Sequence, residues 1–173
     1  MNRKATTTLV TQLCPKCGLC CNGVLFADVE LQKGDKARRL AELGLSLEKK
    51  GPKRVFAQPC ACFDGTLCRI YAERPAHCRA FECGLLKRVQ AGKLDAAAAL
   101  KTIAQTRHRV EKVGDLLRRM GSDDEHRALS LRYVEAMSGP VNLSAGEASA
   151  RLPGKLMALY HDLIQRFQRD FLK

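Results

Sequence analysis

Cys14-Pro15-Lys16-Cys17-Gly18-Leu19-Cys20-Cys21 sets four thiols within eight residues. Few structures other than a metal site gather thiols at that density. A second group follows at Cys60, Cys62, Cys68, Cys78 and Cys83, which completes the nine cysteines of the chain. The segment between the groups and everything after Cys83 contain none. The expectation is an irregular N-terminal half stapled by metal, followed by helices.

Cys14 and Cys17, separated by two residues and followed by Gly18, have the form of a metal knuckle. Two thiolates at that spacing hold one metal, and a glycine with positive φ lets backbone N–H groups approach the sulfurs. Cys20 and Cys21 are adjacent, and neighbouring side chains usually diverge. They are expected either to face different metals or to supply one ligand and one bystander. Cys60 and Cys62 offer one or two ligands. Cys78 and Cys83 fall on one predicted helix, where five residues turn the side chains roughly 140° apart. Either they serve different metals, or the helix unwinds near Cys83, or one is a bystander. Nine thiols exceed one four-coordinate site, so two metals are expected. Zinc and an iron–sulfur cluster both take four thiolates, and spacing does not choose between zinc and iron.

The composition sets the context. At 173 residues the chain can bury its own core and needs no disulfides to fold. The stretch 1–13 has no apolar signal core, and no run approaches a membrane span, so the reading is cytoplasmic. In a reducing compartment clustered thiols mean metal or redox chemistry. The formal net charge of +12 favours an acidic partner, whether nucleic acid, an acidic protein or an anionic substrate, although solubility alone accounts for it slightly better. Thiolates around a metal reduce that figure, because a zinc with four of them carries about −2.

Along the chain, residues 1–90 read as the cysteine-cluster region and 91–173 as a helical region packed on it as one compact unit. The fold class is mainly α with a small irregular α+β part, the cysteine-rich region packing with a C-terminal helical bundle. Val24–Phe26 is predicted as a strand after the Asn22-Gly23 turn. Asp35 is predicted to cap a helix Lys36–Leu43 that stops at Gly44. Gly51-Pro52 breaks the chain before a strand Lys53–Gln58. Pro75 opens a helix running through Cys78 to Gln90. Asp95 caps a helix to Met120, with a heptad seam of Ile103, Val110 and Leu117 flanked by Val113 and Met120. Ser122–Glu125 has capping-box spacing before a helix to Met137, and Ser144–Glu147 offers a second box. Pro153-Gly154 is expected to interrupt any helix begun at that second box. The last helix, Leu156–Leu172, places Leu156, Leu159, Tyr160, Leu163, Ile164, Phe167 and Phe171 on one face.

The run Cys14-x-x-Cys17-x-x-Cys20-Cys21, with Cys68-Arg-Ile-Tyr71-Ala-Glu-Arg74-Pro75-Ala-His-Cys78-Arg79, resembles the YkgJ-like cysteine-cluster family. That family is a zinc- or iron-chelating domain that includes the cysteine module of flagellin lysine N-methylases. The resemblance covers Cys14 to Cys83. It implies metal binding, with Cys60 at a family cysteine position and Cys62 at a normally hydrophobic one. Cys83 lies outside the core motif. The ligands expected on this basis are Cys14, Cys17, Cys20, Cys21, Cys60, Cys68, Cys78 and Cys83, with Cys62 the spectator.

Two function classes stay open. One is a structural-zinc binding or adaptor module. The other is an iron–sulfur-dependent redox or protein-modifying enzyme, methyltransferase-like by resemblance. No glycine-rich loop of a βαβ unit is visible for the latter. Arg74 and Arg79 read as hydrogen-bonding support for the thiolates, and Tyr71 as a packed residue. His77 points away from Cys78 if the two diverge. Asp28, Glu30 and Asp64 are the acidic residues nearest the cysteines; one of them could complete an iron site, but a structural role is favoured. The basic helix after Asp95 has charge for nucleic acid but lacks interleaved aromatics and a groove-reading motif, so nucleic acid is disfavoured. A homodimer through the helices is open.

Overall fold

The computed structural model describes residues 12–139 and 150–173. It is mainly helical with one small antiparallel sheet. The described chain divides into two units. One comprises residues up to Glu82 with Glu125–Leu129, and the other Cys83–Asp124 with Ser130–Lys173.

The first unit begins with helical residues 12–17 (α1). Gly18 ends this helix at φ +67, its N–H bonded to Cys14 O. The predicted strand at Val24–Phe26 is not formed. Asn22 Oδ1 takes the N–H of Val24, and Leu19 O takes that of Leu25, so two of the segment's three donors are withdrawn from any ladder. The strand starts later, at Asp28–Glu30 (β1). Helix α2 spans Ala37–Glu42 and turns at Gly44, close to expectation, but its cap differs. The Asp35 carboxylate accepts from Gln32 N and from Ala76 N, so it caps a helix far along the chain instead of α2.

Strand β3, Lys53–Ala57, is central, flanked by β1 and by Leu47–Lys50 (β2). The β2 strand escaped prediction because three of its four residues are charged and exposed. Gly51-Pro52 forms the two-residue loop joining Lys50 to Lys53, with the positive φ at its first position that such loops favour. Phe56, on the inner face, joins Leu40, Leu45, Cys62 and Ile70 in a core against which Cys60, Cys68 and Cys78 pack.

A 3₁₀ turn, Tyr71–Glu73, leads to α3, Ala76–Ala80. The single helix predicted from Pro75 to Gln90 is in fact two, which is the unwinding near Cys83 that the sequence left open. Phe81 and Cys83 are extended, Phe81 stacks edge-on against Phe26 at 5.1 Å, and a new helix, α4, starts at Gly84.

In the second unit α4 spans Gly84–Gln90, α5 Ala96–Arg119 and α7 Leu152–Asp170. Between them α6, Leu129–Ser138, starts on the last residue of the first unit. Asp95 caps α5 as expected, accepting from Ala98 N at 2.7 Å. The buried stripe of α5 is Ala99, Ile103, Thr106, Val113 and Leu117, with Val110 only half-buried. Thr106 sits in the core because its hydroxyl bonds back to Thr102 O. The Ser122–Glu125 box does not start a helix. Ser122 instead binds the buried Arg132 through its side chain and carbonyl. The Ser144–Glu147 box lies outside the described residues. Pro153-Gly154 does not interrupt α7, because Pro153 occupies its first turn, where no intrahelical N–H is needed. Leu156, Leu163, Phe167 and Phe171 are buried as the apolar face requires, whereas Leu159, Tyr160 and Ile164 are half-buried.

Candidate metal centre

Six cysteines of the first unit form one electrostatic neighbourhood, with Cys62 included through its action on Cys60 and Cys68. Cys20 and Cys21 come from the turns after Gly18, where Gly18 O accepts from Cys21 N and Asn22 N. Cys60 is tied directly to this turn, its N–H donating to Cys21 O at 2.8 Å. Cys68 is anchored by the bridge to Phe63, and Cys78 lies in α3. Each of Cys21, Cys68 and Cys78 feels the charge of others in the group.

The adjacent sulfurs do not diverge as expected. Cys20 Sγ and Cys21 Sγ are 3.6 Å apart. Two sulfurs of a tetrahedral zinc–thiolate site, with bonds of about 2.3 Å, stand about 3.8 Å apart. The pair therefore has the spacing of one edge of such a site. The turn after Gly18, not an extended backbone, brings the two side chains to the same side.

The pattern of acidity fits a site that requires a cation. The hydrogen bond from Cys21 lowers the Cys20 thiol to about 7 against the opposing effect of burial, helped by the Arg74 charge. Cys21 is pushed strongly upward by its hydrogen bond to Cys20, by burial and by neighbouring thiolates. Burial raises Cys60 to about 11. Burial and the charges of Cys60, Cys20 and Cys68 raise Cys78 to about 12. Burial also raises Cys68. One thiolate forms easily here, and each further one meets both burial and repulsion. A bound divalent metal reverses that balance for every sulfur at once. The donor chemistry fits zinc or iron, but the final convergence is not made. Among the described residues no three His, Cys, Asp or Glu side chains stand in a metal-holding group.

Arg74 is the cation of the site. Its guanidinium stacks on Tyr71 at 3.7 Å, and it donates to the carbonyls of Tyr71 and Cys78. Arg79 in turn donates to Arg74 O. Tyr71 is half-exposed and serves as the platform for Arg74.

The other predicted residues are held by the following elements and contacts. Cys14 and Cys17 lie one turn apart on α1, exposed and half-buried. Cys62 is buried in the core and donates its thiol to Leu43 O. Cys83 belongs to the second unit, where its sulfur caps α4 by accepting from Leu86 N. His77 Nδ1 contacts Glu30 O and Gln32, at β1. Asp28 and Glu30 pair with Lys50 and Lys53, and Asp64 accepts from Thr66 N and Leu67 N. One contributor had no sequence signal. The segment 125–129 joins the first unit, and Leu129 N bonds to Gly23 O just beyond Cys21.

Residues 13–106, more than half of the chain and all nine cysteines, match the model of the CxxCxxCC family, described as "Putative zinc- or iron-chelating domain". The chain belongs to this family. The CxxCxxCC match extends past the cysteines into α5. No curated protein and no solved structure matches the chain. Among the described residues of this CxxCxxCC protein, no helix is long and apolar enough to cross a membrane.

Proposed function

We propose that the protein holds zinc or iron through Cys20, Cys21, Cys60, Cys68 and Cys78, with Cys14 and Cys17 as a second donor pair. The observation that carries this reading is the 3.6 Å Cys20–Cys21 edge, with Cys60, Cys68 and Cys78 near enough to interact electrostatically with its sulfurs. Four of the five suffice for one tetrahedral metal, with two of Cys60, Cys68 and Cys78 joining the Cys20–Cys21 pair when it binds. Cys83 is left to its role in capping α4. When bound, the metal supplies a positive charge that holds the thiols ionised. The protein's own contribution is to orient the sulfurs through the Gly18 turn, to exclude water by burial and to offset excess thiolate charge with Arg74.

The structural-zinc reading is preferred to the methyltransferase-like one. Every strand pairing in the sheet is antiparallel, so among the described residues there is no βαβ cofactor-binding unit. An iron–sulfur cluster satisfies the same donors and is separated by experiment. Protein purified without oxygen is expected to be colourless and to contain zinc. Visible charge-transfer absorption with stoichiometric iron and sulfide would replace zinc by a cluster. Absence of any metal would remove the proposal. Elemental analysis also counts the sites, with two metals per chain expected if Cys14 and Cys17 belong to a second one.

A further inference from the structure

One end of the three-stranded sheet concentrates positive charge that the fold does not neutralise. The β2–β3 hairpin reads Glu48-Lys49-Lys50-Gly51-Pro52-Lys53-Arg54, and Lys33 follows β1 at the same end. In the ladder Lys50 faces Lys53, and Lys49 faces Arg54. Like charges directly opposite each other destabilise a sheet. The first pair is compensated from β1, since Lys50 binds Asp28 and Lys53 binds Glu30. The second pair is not. Alternation along the strands puts Lys49 and Arg54 on the other face, that of Leu47 and Phe56, but beyond the core and exposed. Neither of them, nor Lys33, meets a carboxylate within ion-pair distance among the described residues. Lysine on an edge strand guards against edge-to-edge pairing, which accounts for Lys49 on β2. It does not account for Arg54, which lies on the central strand.

We infer that Lys33, Lys49 and Arg54 form a docking surface for the phosphate backbone of a nucleic-acid duplex. Charge complementarity points to a polyanion. The rest of the hairpin tip narrows the class. Apart from Pro52 it carries no apolar side chain, and it has no aromatic residue. It therefore lacks the buried anchor of a protein interface, the stacking platform for unpaired bases and an apolar group to enter a membrane. What remains is contact with a regular array of phosphates, which is sequence-independent and salt-sensitive. This surface is independent of the metal site.

The test uses the full metal-loaded chain and a labelled mixed-sequence DNA duplex, with binding followed by anisotropy over a salt series. Three phosphate contacts imply that this surface contributes about 2.7 to the slope of log affinity against log salt. The triple variant Lys33→Gln/Lys49→Gln/Arg54→Gln is expected to lose that increment. Its affinity at low salt should fall at least tenfold. A control, Lys101→Gln/Lys112→Gln on α5, is expected to keep most of the affinity. Equal losses in the two variants would overturn the assignment, as would an unchanged slope in the triple variant. Retention of poly-glutamate or phosphatidylserine vesicles by the same cations, with the duplex ignored, would also overturn it. The denaturation midpoint of the triple variant should be unchanged or higher, because a repulsive pair has been removed. A lower midpoint would assign these cations to the fold and sink the proposal.

Discussion

Gly18→Ala is the sharpest single perturbation of the metal-binding turn. Two costs act at this residue. Its φ of +67 lies in the left-handed region, where an alanine costs roughly 1–2 kcal/mol. A Cβ there would also stand 2.8 Å from Phe63 Cζ, well inside van der Waals contact. The ring tip can shift, so relief costs about 1–2 kcal/mol in the manner of an overpacked core. Gly51 provides the control. Its φ is +61, but nothing lies within 4 Å of its Cβ position. Both substitutions remove the same freedom from the unfolded chain, so that contribution cancels. Gly18→Ala is therefore expected to destabilise by about 1–2 kcal/mol more than Gly51→Ala. Chemical denaturation of the metal-free protein measures the difference. Adding Phe63→Leu, which shortens the ring side, should return most of the excess to the Gly18→Ala chain. Metal affinity should fall in Gly18→Ala and not in Gly51→Ala, since only the first turn orients Cys17, Cys20 and Cys21. Equal destabilisation by the two alanines would refute the packing of Phe63 on this turn.

Other substitutions probe separate contacts. Cys17→Ser is expected to lower metal content, whereas Cys62→Ser, whose side chain donates into the core at Leu43 O, should retain it; equal loss by elemental analysis would show that the donor ranking is wrong. Gly84→Ala would place a Cβ 2.1 Å from Lys173 O, forcing residues 171–173 aside and breaking the bond from Gly84 N to Phe171 O. A loss of about 1–3 kcal/mol is expected, although a helical Gly→Ala normally stabilises, and a midpoint at or above wild type would contradict the contact. Asp170 supplies a pH dependence. Burial raises its pKa, but the Arg169 hydrogen bond and the charges of Arg169, Arg88 and Arg166 outweigh it and hold the carboxyl below the usual range. Because the folded value is the lower one, its stabilisation is complete above the ordinary carboxylate range and is lost as pH falls through the depressed value. Asp170→Asn should therefore be less stable at neutral pH by about 1–3 kcal/mol, with the gap to wild type closing in acid. A gap independent of pH would show that the charge of Asp170 is not what stabilises the fold.

Some of this fold was legible because one residue decided the local geometry. Gly18 after Cys17 takes the positive φ read for it, although its N–H closes a helix on Cys14 O, and Asp95 before an alanine run caps its helix as read. The apolar face of α7 was legible because its period is set by packing on one side only. Other features depended on distant partners. β2 is a strand because β3 pairs with it, although Glu48-Lys49-Lys50 has no strand character. Asp35 caps α3 because the fold brings Ala76 to it, a partner invisible from neighbouring sequence. The break at Phe81 follows from its meeting with Phe26. At the candidate centre the density of cysteines was evident from the sequence, although the spacing pointed first to Cys14 and Cys17, which lie on α1. The approach of Cys20 to Cys21 was not, because it depends on a turn that overrides the usual divergence of neighbours.

The hydrogen bond from Cys60 to Cys21 has a thermodynamic consequence. Together with the bond from Gln58 N to Ala27 O and the β1–β3 ladder, it closes the long loop between the two cysteine groups with backbone contacts alone. A metal that bridges Cys21 and Cys60 therefore closes no new loop and need not be charged with the entropy of doing so. In small zinc modules that entropy is part of the binding free energy, and removal of the metal unfolds the chain. Here the scaffold meets it beforehand, so affinity should reflect sulfur–metal bonding and the release of protons more than folding. A chain organised in this way is expected to keep its sheet when a chelator removes the metal.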